Sequence, residues 1–160
     1  KRDNQHLKQA RACFMWTDEE LKILKENFNI EIFALFSGTD YGNLSYILEQ
    51  AKFMGIDKQI KYLGFVDDIE IPNLYKQSLA LVMPTYFGPT NIPPLEAFKY
   101  ETPVCYSDLK GLRNQVKNAA FLLDLKNPNS LVNALLSILN KHNKVEKKIR
   151  AGKKILRKGG

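Results

Sequence analysis

The sequence lacks the features that would place it in a membrane or in a disulfide-rich or zinc-binding class. Its longest apolar runs, Ile32–Phe36 and Leu79–Met83, are far shorter than the roughly 20 residues that span a bilayer. Its two cysteines, Cys13 and Cys105, have neither a CxxC spacing nor a neighbouring histidine. This pattern argues against a zinc site and a disulfide framework and fits a reducing, cytoplasmic setting. We expect both cysteines to be small buried apolar side chains.

Basic residues are concentrated in one segment. The net charge is +7, and residues 141–160, with seven Lys, two Arg and one Glu, contribute +8, so the other 140 residues sum to −1. The chain has 19 Lys but five Arg, although Arg is the residue favoured for paired contacts with phosphate. We therefore expect no nucleic-acid partner, and a basic terminal helix at about 141–156.

Short β runs alternate with helical patterns along the chain, without repeats or linkers, which predicts a single domain over residues 1–160. Strand, helix and strand in succession are typical of βαβ units around a parallel sheet, here of about five to six strands. The predicted strands are Glu31–Phe36, Ile60–Leu63, Leu79–Met83, Pro103–Tyr106 and Ala120–Leu123. The predicted helices are Gln5–Phe14, Thr17–Phe28, Leu44–Met54, Ile71–Ser78, Pro93–Tyr100, Pro128–Asn140 and Val145–Leu156.

The loop after the third of these strands combines features of an anion site with a carboxylate. It reads Pro84-Thr-Tyr-Phe-Gly-Pro-Thr-Asn-Ile-Pro-Pro-Leu-Glu96 and runs from a strand end into a helix start, where a parallel sheet places its ligand. Glu96 could accept two hydrogen bonds from a ribose diol, as acidic residues do in dinucleotide-binding folds. The alternative is a packing loop in which Glu96 only favours the helix dipole. Free backbone N–H groups could face a phosphate at Gly88, Thr90, Asn91 and Ile92.

Several motifs follow one another in order: Tyr62-Leu-Gly-Phe-Val66, Leu74-Tyr75, Leu81-Val-Met-Pro-Thr-Tyr86, the loop from Gly88 to Ala97, Thr102-Pro-Val104 and Ser107-Asp108. Together they resemble the C-terminal domain of the retaining glycosyltransferases of family four. That family shows a GFV turn, a strand ending in P-S or P-T, a loop with two glutamates eight positions apart, and G-T-P-V in the next strand. The similarity covers about residues 31–140 and implies an α/β, Rossmann-like, three-layer domain, one half of a GT-B fold.

The resemblance also implies roles for single residues. Glu96, the catalytic candidate, matches the second glutamate of the pair, which holds the ribose, and the backbone of Leu95 would lie along the ribose and phosphate. Gly88 stands where the family has the first glutamate, which contacts the transferred sugar, so the choice of sugar and full activity are left open. Glu101 replaces the small residue before Thr102 and is expected to be exposed.

Three further groups complete the implied donor site. The amides of one loop would meet the diphosphate and the sugar, one turn would lie against the base, and two small residues would end the first strand near the donor. In that order they are Thr90, Asn91 and Ile92; Phe65 and Val66; and Ser37 and Gly38.

The implied activity is the transfer of a hexose from a UDP- or GDP-sugar, with retention of configuration, to a glycan or lipid-linked acceptor in bacterial surface polysaccharide synthesis. No metal or other cofactor is expected, and Asp67, Asp68 and Glu70 are interpreted as a solvated loop. Because Lys1-Arg2-Asp3 lacks an initiator Met, we expect an N-terminal acceptor-binding GT-B domain in the same chain, without which these residues would be inactive. The alternative is a non-catalytic nucleotide-binding module, a degenerate glycosyltransferase domain, which the missing first glutamate favours.

The basic tail has two interpretations. The simpler one is a terminal helix that packs an apolar stripe, Val145, Ile149, Ile155 and Leu156, on the sheet and leaves a solvated basic face. The other is peripheral contact between that face and anionic lipid on the inner face of the membrane. The basic residues concerned are Lys147, Lys148, Arg150, Lys153 and Lys154.

Overall fold

Six parallel strands form one sheet in the order β3-β2-β1-β4-β5-β6. The computed structural model describes residues 9–12, 17–37, 42, 44–86 and 91–159, with the backbone alone described for 9–12, 17 and 18. The strands are β1 Gln9–Ala12, β2 Phe33–Ser37, β3 Ile60–Gly64, β4 Ser78–Met83, β5 Val104–Ser107 and β6 Phe121–Leu123. The helices are α1 Thr17–Phe28, α2 Leu44–Met54, α3 Ile71–Gln77, α4 Ile92–Lys99, α5 Lys110–Val116, α6 Pro128–Asn140 and α7 His142–Gly159, with a 3₁₀ turn at Asp57–Gln59.

Helices cover both faces of the sheet. One buried cluster joins α1, α2 and α6 to the strands, and Leu24, Ala51 and Leu131 are fully buried in it. A second cluster joins α3, α4 and α5, with Tyr75 and Ala97 fully buried, and apolar residues of α7 pack against it. The predicted α/β, three-layer, Rossmann-like architecture is therefore confirmed, with six strands where about five to six were expected.

One predicted element is wrong. Residues Gln5–Phe14 were expected to form a helix, but Gln9–Ala12 is strand β1, which pairs in parallel with both β2 and β4. The Gln, Lys, Ala and Arg of this segment favour helix, yet pairing on two sides outweighs a propensity of a few tenths of a kcal/mol per residue. The rest of the predicted helix lies outside the described residues.

Two helices differ from the prediction in extent. Helix α5 was not predicted, because its seven residues contain two apolar side chains, Leu112 and Val116, and a glycine in the first turn. Helix α7 is longer than expected and packs against α4, where an ideal Cβ on Gly152 would lie 2.7 Å from Cδ1 of Phe98. Glycine at this position therefore allows the two helices to approach closely. In the parts of the chain that the structure describes, no helix is long and apolar enough to cross a membrane.

Candidate functional site

The carboxyl ends of the strands meet at one edge of the sheet, where the strand order reverses between β1 and β4. The chain leaves β1 for β2 and β3 on one side, and returns through β4 to β5 and β6 on the other. In open parallel sheets this reversal opens a crevice in which ligands bind. The loop singled out in the sequence follows β4, directly beside the reversal.

Both ends of that loop are tied to β5 and α5. At its start, the Ser107 hydroxyl donates a hydrogen bond to the backbone oxygen of the buried Thr85. At its end, the Asn91 side-chain amide donates to the Tyr106 hydroxyl over 2.5 Å. The structure thus fixes where the loop leaves the sheet and where it enters α4. Gly88 and Thr90, which were predicted to contact the donor, lie outside the described residues.

Gln115 holds the backbone of Asn91 from both sides. Its Oε1 accepts from the Asn91 N–H at 3.2 Å and from the Tyr106 hydroxyl at 3.1 Å, and its Nε2 donates to the Asn91 backbone oxygen. Burial raises the pKa of Tyr106, and the Asn91 hydrogen bond opposes part of that rise, so the phenol is neutral at ordinary pH. The Gln115 side chain therefore orients Asn91, the residue that directly precedes α4.

The hydrogen bonds of Gln115 to the Asn91 backbone, called the clamp below, show that one predicted phosphate contact is wrong. The Asn91 N–H, expected to be free, is taken by Gln115. The next helical residues include Pro93 and Pro94, which have no N–H. The first four residues of a helix have no acceptor for their N–H groups within the helix, and here they are Asn91–Pro94. Among these four, Ile92 is the residue whose backbone N–H is available to a ligand. Ile92 is also well exposed at this terminus.

Glu96 lies in the second turn of α4 and is held by a buried tyrosine. The hydroxyl of Tyr75, a fully buried α3 residue, donates to Glu96 Oε1 over 2.7 Å. A carboxylate has about four acceptor positions, so Tyr75 leaves several for a diol. Leu95 packs its half-buried side chain against the cluster beneath α4.

The remaining predicted residues lie on the other side of the reversal. Ser37, the last residue of β2, pairs with Gly64 of β3, and Gly64 has a φ of +67° that favours glycine. The next residue, Phe65, is 81% exposed, and Val66 is half-buried. Strands β3 and β4 are three positions apart, roughly 14 Å. Among the described residues no hydrogen bond joins the Phe65–Val66 turn to Asn91–Glu96; Gly38 lies outside them.

The acidic residues and cysteines of the described ranges form neither a metal site nor a reactive thiol. Within the described ranges, no three His, Cys, Asp or Glu side chains are grouped as a metal site would need, and Asp67, Asp68 and Glu70 are exposed. Burial raises the pKa of Cys105 to about 12, against a smaller opposing effect of Lys148. Cys105 is therefore an inert buried thiol, as predicted, whereas Cys13 lies outside the described residues.

Gln115 and Tyr75 extend the site beyond the predicted residues. Tyr75 belongs to a motif quoted for the resemblance, but nothing in the sequence pairs it with Glu96. Gln115 stands in a short helix with no motif around it. Only the fold brings them to the α4 terminus.

The clamp can be tested by replacing Gln115 with methionine, which has a similar length and no hydrogen-bonding amide. We expect the free energy of unfolding to fall by about 1 kcal/mol, because the half-buried N–H and C=O of Asn91 would exchange their hydrogen bonds with Gln115 for hydrogen bonds with water. Urea unfolding measures this change. The adjacent Asn114 is exposed, so Asn114→Ala is the control and should change stability by less than about 0.5 kcal/mol. Equal effects of the two substitutions would contradict the clamp.

Comparison with known proteins identifies the family of this domain. The model of the family described as glycosyl transferases group 1 matches residues 19–155. The O-antigen chain mannosyltransferase B of Escherichia coli is 34% identical over 65 residues, which are 41% of this chain and 17% of that protein. The chain spans 23% and 17% of the lengths of the first curated glycosyltransferases that it matches.

Solved structures share the fold. The C-terminal domain of a group 1 glycosyl transferase from Francisella tularensis aligns with 94% of this chain and 85% of its own, at 17% identity and a TM-score of 0.76. The Anabaena protein HepE, solved in complex with UDP-glucose, aligns with 92% of this chain and 43% of its own, at 19% identity and a TM-score of 0.74. The predicted likeness to one part of a GT-B fold is confirmed by these neighbours. By its match over residues 19–155, the chain belongs to the group 1 glycosyltransferase family.

Proposed function

We propose that this chain binds the nucleoside diphosphate part of a UDP- or GDP-sugar and serves as the C-terminal, donor-binding domain of a retaining hexosyltransferase. The observation that carries the proposal is the position of Glu96, which Tyr75 holds at the α4 terminus beside the strand reversal, in a family of glycosyltransferases. Its free acceptor positions suit the ribose diol. The UDP-glucose complex of a neighbour with the same fold supports a donor of this class.

In this proposal each predicted residue contacts one part of the donor. Glu96 accepts from the ribose hydroxyls, the Leu95 backbone follows the ribose, and the Ile92 amide faces the diphosphate. The exposed Phe65 and the neighbouring Val66 lie against the base on the far side of the reversal. Ser37 ends β2 close to the donor, and contacts of Gly38, Gly88, Thr90 and Asn91 with the donor stay part of the proposal.

The chemical work of the site is to stabilise the departing diphosphate. That stabilisation comes from oriented amides and cations in a site that excludes water. This domain supplies part of it, and a second domain, N-terminal in the same chain, would bind the acceptor and close the cleft. A glycan or lipid-linked acceptor of a bacterial surface polysaccharide fits the O-antigen mannosyltransferase among its relatives. No metal enters this proposal.

A second candidate is a non-catalytic nucleotide-binding module. Gly88 replaces the glutamate that would contact the transferred sugar, and the α4 terminus offers one backbone N–H instead of four. Both features reduce what the site can do for a leaving diphosphate, while neither affects the ribose contact. In the longer protein that the enzymatic proposal requires, release of UDP or GDP from a sugar nucleotide in the presence of acceptor separates the two functions.

Calorimetry with UDP, GDP and ADP tests the shared part of both candidates. We expect weak binding of UDP or GDP to the 160-residue chain, because one domain supplies half of a cleft. No heat with any of the three at millimolar concentration would contradict nucleotide binding. Tighter binding of ADP than of both others would contradict the proposed donor class.

A further inference from the structure

A groove of about 1020 Å³ runs along α7, on the side where α7 faces the end of α5 and the turn after it. Its walls come from α7, from Lys147 onward, and from four residues at the end of α5 and in the turn after it, and Glu101 also lines it. Ile149, Ala151 and Ile155 supply apolar lining. Six exposed cations line it, and five of them lie outside any ion pair of the described residues: Lys117, Lys147, Lys154, Arg157 and Lys158.

These five cations are not neutralised within the fold. No carboxylate of the described chain forms an ion pair with any of them. The other basic residues of α7 differ: Lys153 pairs with Glu101 at 3.0 Å, and Arg150 lies 3.6 Å from Glu146. Lys148 donates to the Ala120 backbone oxygen over 3.0 Å and lies over the Phe121 ring. Of the residues predicted to form the basic face, Lys148 therefore packs against Phe121, and Lys153 is neutralised by a surface ion pair.

The composition of the groove selects among anionic partners. Its lining contains no aromatic side chain, so it offers no stacking platform for single-stranded nucleic acid. Of these five cations, four are Lys and one is Arg. The Lys ammonium is a compact, strongly hydrated charge on a flexible side chain. Outside residues 141–160 the chain sums to −1, so the net positive charge of the chain comes from this terminal segment, which supplies all of the groove's cations except Lys117. Flexible lysine side chains can reach the distributed charges of anionic lipid headgroups without a fixed geometry.

We propose that the groove face of α7 docks on an anionic lipid surface. Each Lys or Arg near such a surface strengthens attachment by about fivefold. Since the apolar lining is small, attachment is electrostatic and weakens as salt shortens the Debye length. Gln115 lines this groove and also holds Asn91, so docking would bring the donor edge close to the lipid; that consequence rests on the proposed function, whereas docking does not.

Vesicle sedimentation of the 160-residue chain tests the docking. Vesicles of phosphatidylcholine with phosphatidylglycerol should bind it, and vesicles of phosphatidylcholine alone should not. Replacing Lys147, Lys154 and Lys158 by Gln should weaken binding roughly a hundredfold. The matched control replaces three exposed lysines away from the groove, Lys52, Lys58 and Lys126, removes the same charge, and should weaken it far less.

Three results would each overturn the proposal. They are equal binding to neutral and anionic vesicles, equal loss of binding in the two triple variants, and no binding to anionic vesicles, whether or not the chain binds duplex nucleic acid instead. Circular dichroism of both variants confirms that they fold. The nucleotide calorimetry described above is independent of these lysines, so failure of docking and failure of donor binding are distinguishable.

Discussion

Replacing Glu96 by alanine is expected to weaken binding of UDP or GDP by about 1–3 kcal/mol, the scale of hydrogen bonds to a charged group. The loss follows from removing the acceptors that the ribose diol would use. Calorimetry measures the difference in binding free energy. Unchanged affinity in a variant that folds normally would show that Glu96 does not hold the ribose.

Tyr75→Phe tests whether the orientation of the Glu96 carboxylate, and not only its presence, contributes to nucleotide affinity. The variant keeps the buried ring and removes the hydroxyl that donates to Oε1 over 2.7 Å. Its effect on affinity should be smaller than that of Glu96→Ala, and should vanish in the Glu96→Ala background. An equal effect of Tyr75→Phe in both backgrounds would mean that Tyr75 acts on the fold and not through Glu96.

Replacing Gly152 by alanine is expected to lower the free energy of unfolding by about 1–3 kcal/mol, the range for overpacking. The added Cβ would lie 2.7 Å from Cδ1 and 2.8 Å from Cγ of the buried Phe98, so α7 and α4 must move apart. For a chain of this size the midpoint of thermal unfolding should fall by about 2–12 °C. Thermal and urea unfolding measure both quantities.

Gly111→Ala is the matched control. Gly111 is also helical, and an ideal Cβ there meets nothing within 4 Å. Alanine should therefore leave stability unchanged or raise it by up to about 1 kcal/mol through helix propensity. If Gly152→Ala behaved like Gly111→Ala, the close approach of α7 to α4 would be refuted.

Much of the fold could be predicted because periodicity and end signals agree along most of the chain. Helix α6 begins and ends at the predicted residues, Pro128 and Asn140, and α2 ends before Gly55 as expected. The exceptions are α5, whose few apolar residues give no helical pattern, and β1, whose residues favour helix in isolation. Its strand state comes from pairing with β2 and β4, which are distant in sequence, and no local pattern carries that information.

The donor-binding role of the site stays a prediction, and the structure adds hydrogen bonds that the sequence did not indicate. The loop, the helix terminus and Glu96 could be located because a strand, a glycine loop and a helix start follow one another in the sequence. The hydrogen bonds from Tyr75 and to Gln115 join residues 21 and 24 positions apart, which only the packing of α3, α4 and α5 determines. The same packing removed the Asn91 N–H from the predicted phosphate contacts.

The central claim is that a nucleoside diphosphate binds at the edge formed by Asn91–Glu96 and the Phe65–Val66 turn. Titration of the isotope-labelled chain with UDP and with GDP, followed by backbone amide chemical shifts, tests it most directly. We expect the largest shifts at Ile92, Leu95 and Glu96, with further shifts at Phe65 and Val66. Shifts confined to the cations of the α7 groove would contradict it, because the nucleotide would then bind as a simple anion, away from Glu96.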